Sequence, residues 1–260
     1  MLIKTDDKVN LHYQTAGDSR NPAIIFANSL GTQLSMWQPQ IDALSKHFYV
    51  INYDTRGHGK SDKPQGPYSL TRLGQDVLCV LGALGIKKAN FCGISMGGLT
   101  GLWLAIYAPE RFERIAVANT AAKIGERSAW LERAAMVRAQ GMDGLAQSAA
   151  SRWFTPAFTE QQPDLIESMT SALAAEDAEG YASCCEALAE ADLRDKIARI
   201  NLPLLVIAGD DDPVTTVADA KVIQQAVSSA KVKSLAASHI SNLEQPAAFN
   251  RALKSFLAGK

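Results

Sequence analysis

The hydrophobic positions of this chain alternate between short apolar runs and longer segments with helical periodicity. The runs at residues 23–27 and 89–94 contain few polar side chains, which is typical of strands buried on both faces. Between such runs, apolar residues recur every three or four positions, as in residues 69–84. This alternation of strand and helix predicts an α/β fold with a mostly parallel sheet and helices on both faces.

Eight strands and five helices are predicted outside the middle of the chain. The predicted strands are residues 2–4, 10–16, 23–27, 49–53, 89–94, 114–119, 204–208 and 232–236. The predicted helices are residues 36–45, 69–84, 96–108, 216–227 and 246–257.

The pattern changes in residues 121–193, which are alanine-rich and helical in period, with no strand pattern. Pro156 and Pro163 interrupt this stretch. It predicts a helical lid inserted into an α/β core that is formed by residues 1–120 and 194–260. The large apolar side chains of the lid, which we expect to pack mainly within it, are Trp130, Trp153 and Phe154.

Composition narrows the possible classes of protein. The 260 residues are enough for one large α/β domain, and a net charge of −1 gives no indication of nucleic-acid binding. No apolar run is long enough to span a membrane, and the charged N-terminal segment does not resemble a signal peptide. The four cysteines follow no metal-ligand spacing, so we expect free thiols, a cytoplasmic location and no metal site.

A serine between two glycines follows the predicted strand 89–94, and a helical pattern follows the serine. Gly93-Ile94-Ser95-Met96-Gly97 is a G-x-S-x-G pattern in strand–turn–helix context. A serine at the tip of so sharp a turn needs neighbours without Cβ atoms, because the chain passes close by on both sides. The pattern therefore predicts that Ser95 is a nucleophile whose hydroxyl stands clear of the sheet, directly before the start of a helix.

A serine nucleophile needs an adjacent base, and His239 is the histidine best placed for this role. It follows the last predicted strand, so it shares the carboxyl edge of the sheet with Ser95. We expect His12 and His47 to be structural or surface residues. We expect His58, in the polar glycine-rich loop 54–61, to brace that loop.

Three consecutive aspartates follow the predicted strand 204–208, at the same edge of the sheet. A carboxylate here can fix the tautomer of the histidine and stabilise its charged form. We choose Asp212 because Pro213 fixes the turn after it, and Asp211 remains the alternative.

An oxyanion hole needs two backbone N–H donors that are held in place before the reaction. One is expected from Met96, directly after the serine. The other is expected from the small-residue loop 28–31 after the third strand, where we choose Leu30.

Four motifs in this order resemble the α/β-hydrolase superfamily over nearly the whole chain. They are residues 93–97, the D-x-R-G-H-G-x-S loop at 54–61, the loop 209–213 and the pair 238–239. The resemblance implies an α/β-hydrolase fold whose nucleophile, acid and base occur in the order Ser95, Asp212, His239.

A closer resemblance is to the 3-oxoadipate enol-lactonases, enzymes of the β-ketoadipate pathway of aromatic catabolism. It rests on Asn28-Ser29-Leu30-Gly31, on the helix after Ser95 and on residues 238–246, whereas the three aspartates depart from the usual loop of that family. The resemblance implies hydrolysis of a five-membered enol-lactone to 3-oxoadipate through an acyl-enzyme, with no metal or organic cofactor.

The implied substrate carries a carboxylate, so a cation is expected to face the pocket. Arg133 lies three residues after Trp130, which puts both on one helix face, and we expect this pair to line the pocket. Ser29 and Trp153 are further candidate contacts. The remaining cations of the lid, expected to be solvated for the most part, are Lys123, Arg127, Arg138 and Arg152.

Other functions fit the same residues. A carboxylesterase and a C–C bond hydrolase of aromatic meta-cleavage products would use the same serine, acid and histidine on the same fold. A non-catalytic ligand receptor is an alternative of another class. The expected partner is a small anionic lactone, with no nucleic acid or membrane, and the oligomeric state stays open.

Overall fold

An eight-stranded sheet runs through the centre of the computed structural model, which describes residues 1–259. The strands are β1 Leu2–Lys4, β2 Asn10–Ala16, β3 Ala23–Ala27, β4 Tyr49–Tyr53, β5 Ala89–Ile94, β6 Phe112–Ala118, β7 Leu204–Gly209 and β8 Ala230–Leu235. Their spatial order is β1-β2-β4-β3-β5-β6-β7-β8. Only the pairs β1–β2 and β2–β4 are antiparallel, which confirms the predicted mostly parallel sheet.

Strands β3, β5 and β7 are buried along their whole length. Because side chains alternate between the two faces of a strand, both faces of the sheet must be covered. The helices that follow the strands provide this cover. They are α1 Gln38–Leu44, α2 Leu70–Ala83, α3 Met96–Tyr107, α10 Val217–Ala226, α11 Ser241–Glu244 and α12 Pro246–Leu257.

Several element boundaries differ from the predicted ones by one or two residues, and three of these differences have a clear structural reason. The helix predicted at 36–45 begins as a 3₁₀ turn, and its α-helical part starts one residue before Pro39, which a first helical turn tolerates. Strand β6 ends at Ala118 because Asn119 has a positive φ of 45°. Strand β8 starts two residues earlier than predicted, since its exposed lysines obscure the apolar pattern of this edge strand.

Six helices lie between β6 and β7 and form what we call the insert, Arg127–Glu190. They are α4 Arg127–Gln140, α5 Asp143–Gln147, α6 Ala150–Trp153, α7 Pro156–Gln161, α8 Pro163–Ala174 and α9 Ala178–Glu190. The division of the chain into a core and a lid stays a prediction. Within residues 1–259, no helix combines the length and the apolar character that crossing a membrane requires.

Several contacts attach the insert to the core, among them one on loop 54–61 and one beside His239. Gly180 of α9 packs directly on Gly57, so closely that a Cβ on Gly180 would lie 2.2 Å from the Gly57 carbonyl oxygen. The Trp153 carbonyl oxygen of α6 accepts a hydrogen bond of 3.0 Å from the Ile240 N–H, next to His239. The insert therefore covers the carboxyl edge of the sheet.

Candidate active site

Ser95 occupies a sharp turn between β5 and α3. Its backbone has φ 55° and ψ −116°, a conformation that an L-residue adopts only under strain. A Cβ on Gly93 would lie 2.3 Å from the Gly97 carbonyl oxygen, and a Cβ on Gly97 would lie 2.2 Å from the Ala27 carbonyl oxygen. The two glycines thus permit the close approach that the turn requires, as the sequence pattern indicated.

This close approach leads to a stability prediction for the turn. Gly97→Ala is expected to lower the free energy of unfolding by at least about 2 kcal/mol, because the backbone of β3 or of the turn must shift. Gly82 in α2 is the matched control, since a Cβ there would meet nothing within 4 Å. Gly82→Ala is expected to raise stability by about 0.5–1 kcal/mol. Chemical denaturation compares the two, and an undiminished stability of Gly97→Ala would contradict this packing.

His239 and Asp212 form a buried pair at the carboxyl edge of the sheet. The His239 Nδ1 atom lies 2.8 Å from Asp212 Oδ2 and 3.0 Å from Oδ1. The exposed fraction is 3% for His239 and 5% for Asp212, whereas Asp210 and Asp211 are exposed. Of the three consecutive aspartates, Asp212 is therefore the one in contact with the imidazole.

The carboxylate of Asp212 accepts further hydrogen bonds from its own loop and from the end of β6. Oδ1 accepts from the N–H groups of Val214 at 2.8 Å and Thr215 at 3.1 Å. Oδ2 accepts from the Thr215 hydroxyl at 2.8 Å and from Asn119 Nδ2 at 3.0 Å. Burial acts to raise the pKa of Asp212, but the hydrogen bonds from His239, Asn119 and Thr215 outweigh it and leave the pKa below its usual value.

Two backbone N–H groups beside Ser95 are free to bind a ligand. Those of Leu30 and Met96 donate to no acceptor within residues 1–259. The Gly97 N–H donates to the Asn28 carbonyl oxygen at 3.0 Å and so connects the turn at Ser95 to loop 28–31. The chain thus brings together both loops that were predicted to supply oxyanion donors.

A cavity of about 290 Å³ lies between the sheet edge and the insert. The sequence-predicted residues that line it are Ser29, Leu30, Ser95, Trp130, Arg133, Trp153 and His239. Asp212 lies behind His239, and Met96 lies behind Ser95 at the start of α3. Trp130 is held in place by its Nε1–H, which donates to the Ile124 carbonyl oxygen at 2.6 Å. The wall also contains Arg152 and residues that the sequence did not single out, among them Ile124, Leu173, Tyr181 and Val214.

Two arginines line this cavity without a carboxylate partner. The Arg133 guanidinium carbon lies 4.7 Å from the centre of the Trp130 ring. Arg152 donates to the Ser148 hydroxyl at 2.7 Å and to the Leu145 carbonyl oxygen at 3.2 Å, both neutral acceptors. Burial and the nearby charge of Arg133 lower the pKa of Arg152 from its usual value. Arg152, grouped in the sequence with cations expected to be solvated, thus belongs to the cavity.

The other cations of the predicted lid, residues 121–193, are paired. Lys123 contacts Glu126 at 2.8 Å, a carboxylate that also borders the cavity, and Arg127 contacts Glu190 at 2.8 Å. Arg138 binds both Glu179 and Glu186 of α9, at 2.7 and 2.6 Å. No ion pair within residues 1–259 involves Arg133 or Arg152. The net effect is a partly apolar cavity with uncompensated positive charge, which favours an anionic ligand.

The remaining histidines lie outside the cavity. His12 Nδ1 lies 2.8 Å from Asp54 Oδ2, and His47 is exposed. His58 is fully buried beneath loop 28–31. Among the residues that the structure describes, no group of His, Cys, Asp and Glu side chains is arranged to hold a metal ion.

Comparison with known proteins adds to this geometry. Residues 22–246 match the family model of the alpha/beta hydrolase fold. The chain is 56% identical to 3-oxoadipate enol-lactonase 2 of Acinetobacter baylyi, over 97% of this chain and 95% of that protein. It is 48% identical to 3-oxoadipate enol-lactonase 1 of the same organism, over 99% of this chain and 96% of that protein.

A solved structure shows the same similarity in three dimensions. The enol-lactonase from Burkholderia xenovorans LB400 superposes with a TM-score of 0.97 at 45% identity, covering 99% of this chain and 100% of that one. The family model, the relatives and the sheet topology agree with each other. The chain is therefore a hydrolase that belongs to the alpha/beta hydrolase fold family and, within it, is related to the 3-oxoadipate enol-lactonases.

Proposed function

We propose that this protein hydrolyses 3-oxoadipate enol-lactone to 3-oxoadipate, through an acyl-enzyme on Ser95. The observation that carries the proposal is the cavity in which Ser95 and His239 face two arginines without carboxylate partners. A lactone with an acetate side chain offers both an ester carbonyl for the serine and a carboxylate for the arginines. The two enol-lactonase relatives at 56% and 48% identity support the same substrate.

In the first half of the reaction, the Ser95 oxygen attacks the ring carbonyl carbon. His239 Nε2 takes the hydroxyl proton as the new bond forms, and Asp212 stabilises the imidazolium through its contact with Nδ1. The carbonyl oxygen becomes an oxyanion, for which we propose the free N–H groups of Leu30 and Met96 as donors. When the oxyanion collapses, the bond to the ring oxygen breaks and the enol leaves with the proton from His239.

In the second half, water hydrolyses the ester bond between Ser95 and the acyl group. Because the substrate is a ring, the enol formed by ring opening remains part of the acyl group, and it tautomerises to the ketone. His239, now neutral, takes a proton from water, and the resulting hydroxide attacks the acyl carbon. The bond to Ser95 breaks, the serine recovers its proton from His239, and 3-oxoadipate departs. These steps use only side chains, backbone donors and water, so the proposed mechanism requires no metal or organic cofactor.

For the substrate carboxylate, we propose Arg133 and Arg152 as the binding groups. Their positive charges are close enough for Arg133 to lower the pKa of Arg152, so an anion between them relieves a repulsion. Ser29, Trp130 and Trp153 then supply the surrounding wall.

Removing one of these cations is expected to weaken substrate binding. Arg133→Ala should raise KM for the lactone about tenfold, which corresponds to about 1.4 kcal/mol, with a smaller effect on kcat. Arg152→Ala should act in the same direction. Arg127→Ala is the matched control, because Arg127 is an exposed arginine of the same helix as Arg133 and is paired with Glu190. An unchanged KM in Arg133→Ala would remove this residue from the binding site.

The proposed activity can be tested with the substrate itself. The enol-lactone is generated in situ, the purified protein is added, and the loss of the ultraviolet absorbance of the lactone is followed. We expect rapid loss with formation of 3-oxoadipate. If the loss were no faster than in buffer while simple aryl esters were hydrolysed, the protein would be a carboxylesterase.

The wider setting of the reaction is also part of the proposal. An enol-lactonase acts in the β-ketoadipate pathway of aromatic catabolism, so we propose that role here. A cytoplasmic location is consistent with the four free cysteines. A small anionic lactone as partner, without nucleic acid or membrane, stays a prediction.

A further inference from the structure

His58 contacts the loop that carries one of the two free N–H donors. Its Nε2 atom accepts a hydrogen bond of 2.9 Å from the Gly31 N–H. The peptide group that contains this N–H shares the Leu30 Cα atom with the peptide group that contains the Leu30 N–H. When the first peptide group is fixed, only the two backbone dihedrals of Leu30 remain to orient the second.

The contacts of the imidazole define its protonation state. Because Nε2 accepts a hydrogen bond, it carries no proton, and the proton of a neutral ring is then on Nδ1. Nδ1 lies 3.3 Å from the Arg56 carbonyl oxygen and 4.0 Å from Cys184 Sγ. Burial lowers the pKa of His58, which agrees with a neutral ring. The side chain is fully buried, so bulk water does not compete with Nε2 as the acceptor of the Gly31 N–H.

The same loop is also held from the insert. Glu176, buried between α8 and α9, accepts hydrogen bonds of 2.8 Å from Gln33 Nε2 and 2.9 Å from the Gly59 N–H. The His58 ring lies 6.3 Å from the ring of Tyr181, which lines the cavity. Loop 28–33, loop 54–61 and the insert thus form one connected unit next to the cavity.

We propose that His58 is a positioning residue for the hydrolysis, because its Nε2 acceptor fixes the Leu30–Gly31 peptide and thereby aims the Leu30 N–H at the oxyanion. This inference rests on the oxyanion role given to Leu30 in the proposed function. His58 touches neither the substrate nor the reacting atoms, and it acts only through the loop. Its contribution therefore belongs to the transition state rather than to substrate binding.

Two substitutions of His58 separate positioning from packing. His58→Leu keeps an apolar volume but removes the acceptor, and His58→Gln keeps an oxygen acceptor near the position of Nε2. We expect kcat to fall about 10- to 100-fold in His58→Leu, because a loosened donor loses part of the 10²- to 10³-fold effect of a deleted one. KM should stay within about twofold of wild type. In His58→Gln, kcat should recover to within about fivefold of wild type. His47→Gln, at an exposed position, is the control.

Each variant is assayed on the enol-lactone and on an aryl ester, since both would use the same oxyanion donors. The wild-type protein could be inactive on the lactone while His58→Leu lowers kcat for the aryl ester. That result would overturn the proposed substrate and keep the role of His58. Equal losses in His58→Leu and His58→Gln, or a kcat of His58→Leu within about twofold of wild type, would overturn the positioning role.

A measurement on the wild-type protein covers the case in which His58→Leu does not fold. Long-range ¹H–¹⁵N spectra of the ¹⁵N-labelled protein report which ring nitrogen of each histidine carries the proton. We expect His58 to be neutral, with its proton on Nδ1, at the pH of the assay. A proton on Nε2 of His58 would leave the Gly31 N–H without an acceptor and would overturn the proposal.

Discussion

Replacing Ser95 by alanine is expected to lower kcat for the enol-lactone by about 10⁴-fold or more. The change removes the only atom that forms a bond to the substrate, while the cavity, its arginines and the two free N–H donors stay in place. Substrate binding should therefore be retained, with a dissociation constant within about threefold of wild type. Stopped assays for turnover and calorimetry for binding measure the two quantities separately.

The Ser95 variant also separates an enzyme from a receptor. A non-catalytic receptor of this fold would bind the lactone and keep its biological effect without Ser95. Ser229→Ala is a matched control, because the Ser229 hydroxyl donates to the Leu202 carbonyl oxygen at 2.7 Å, far from the cavity. Turnover by Ser95→Ala at the wild-type rate would show that the reaction does not use this serine.

Replacing Asp212 by asparagine is expected to lower kcat by about 10⁴-fold with little change in the fold. Oδ1 of Asp212 accepts from two backbone N–H groups, so the amide oxygen of asparagine must take that position. Its NH₂ group then occupies the position of Oδ2 and donates to His239 Nδ1, while Asn119 Nδ2 loses this acceptor and keeps the Ser238 carbonyl oxygen. The imidazole proton therefore moves to Nε2. Because Nε2 must be unprotonated to accept the proton of Ser95, the histidine can no longer act as the base.

The neighbouring aspartates provide the controls for this prediction. Asp210→Asn and Asp211→Asn alter exposed carboxylates in the same loop and should leave kcat within about twofold of wild type. A loss of kcat in Asp211→Asn as large as in Asp212→Asn would assign the acid differently. Circular dichroism and a thermal melt of each variant exclude unfolding as the cause.

The hydrophobic pattern predicted the fold because each strand next to the serine is a continuous apolar run. Strands β3 and β5 have the predicted bounds, since burial on both faces leaves them almost entirely apolar, and the one polar side chain, Asn90, donates to the Ala23 carbonyl oxygen. The start of the edge strand β8 was predicted two residues too late, because one of its faces is exposed and its lysines are compatible with a loop. The apolar pattern thus predicts the boundaries of fully buried strands more accurately than those of half-exposed strands.

The residues of the candidate site could be predicted where the order of strands along the chain determines their position in the fold. Ser95, Asp212 and His239 each follow a strand of the parallel sheet, so they had to meet at one edge. Of the two cavity arginines, only Arg133 was selected from the sequence, through its helical spacing from Trp130, and Arg152 could not be told apart from the paired cations. Arg138 and Arg152 both lie in the alanine-rich helical stretch 121–193. Only the packing of α9 against α4 gives Arg138 two glutamates, while Arg152 has none.

The role of Asn119 could not be predicted from the sequence, for a different reason. Its side chain donates to Asp212 at 3.0 Å and to the Ser238 carbonyl oxygen at 3.0 Å, and thereby links the acid to the loop of the histidine. An asparagine after a strand is a common turn signal, so nothing in the local pattern indicates this contact. Its role depends on residues about a hundred positions away, which only the folded structure brings together.

The central proposal, an acyl-enzyme formed on Ser95 from the enol-lactone, is tested most directly by mass spectrometry of the protein quenched during turnover. Because ring opening keeps the leaving enol attached to the acyl group, the adduct must carry the mass of the whole lactone, and digestion must locate it on the peptide that contains Ser95. His239→Gln, in which the second half of the reaction lacks its base, should retain any adduct that forms for longer. An adduct of this mass on Ser95, absent from Ser95→Ala, is the predicted result. Rapid lactone hydrolysis with no adduct on Ser95 in either wild type or His239→Gln would contradict it.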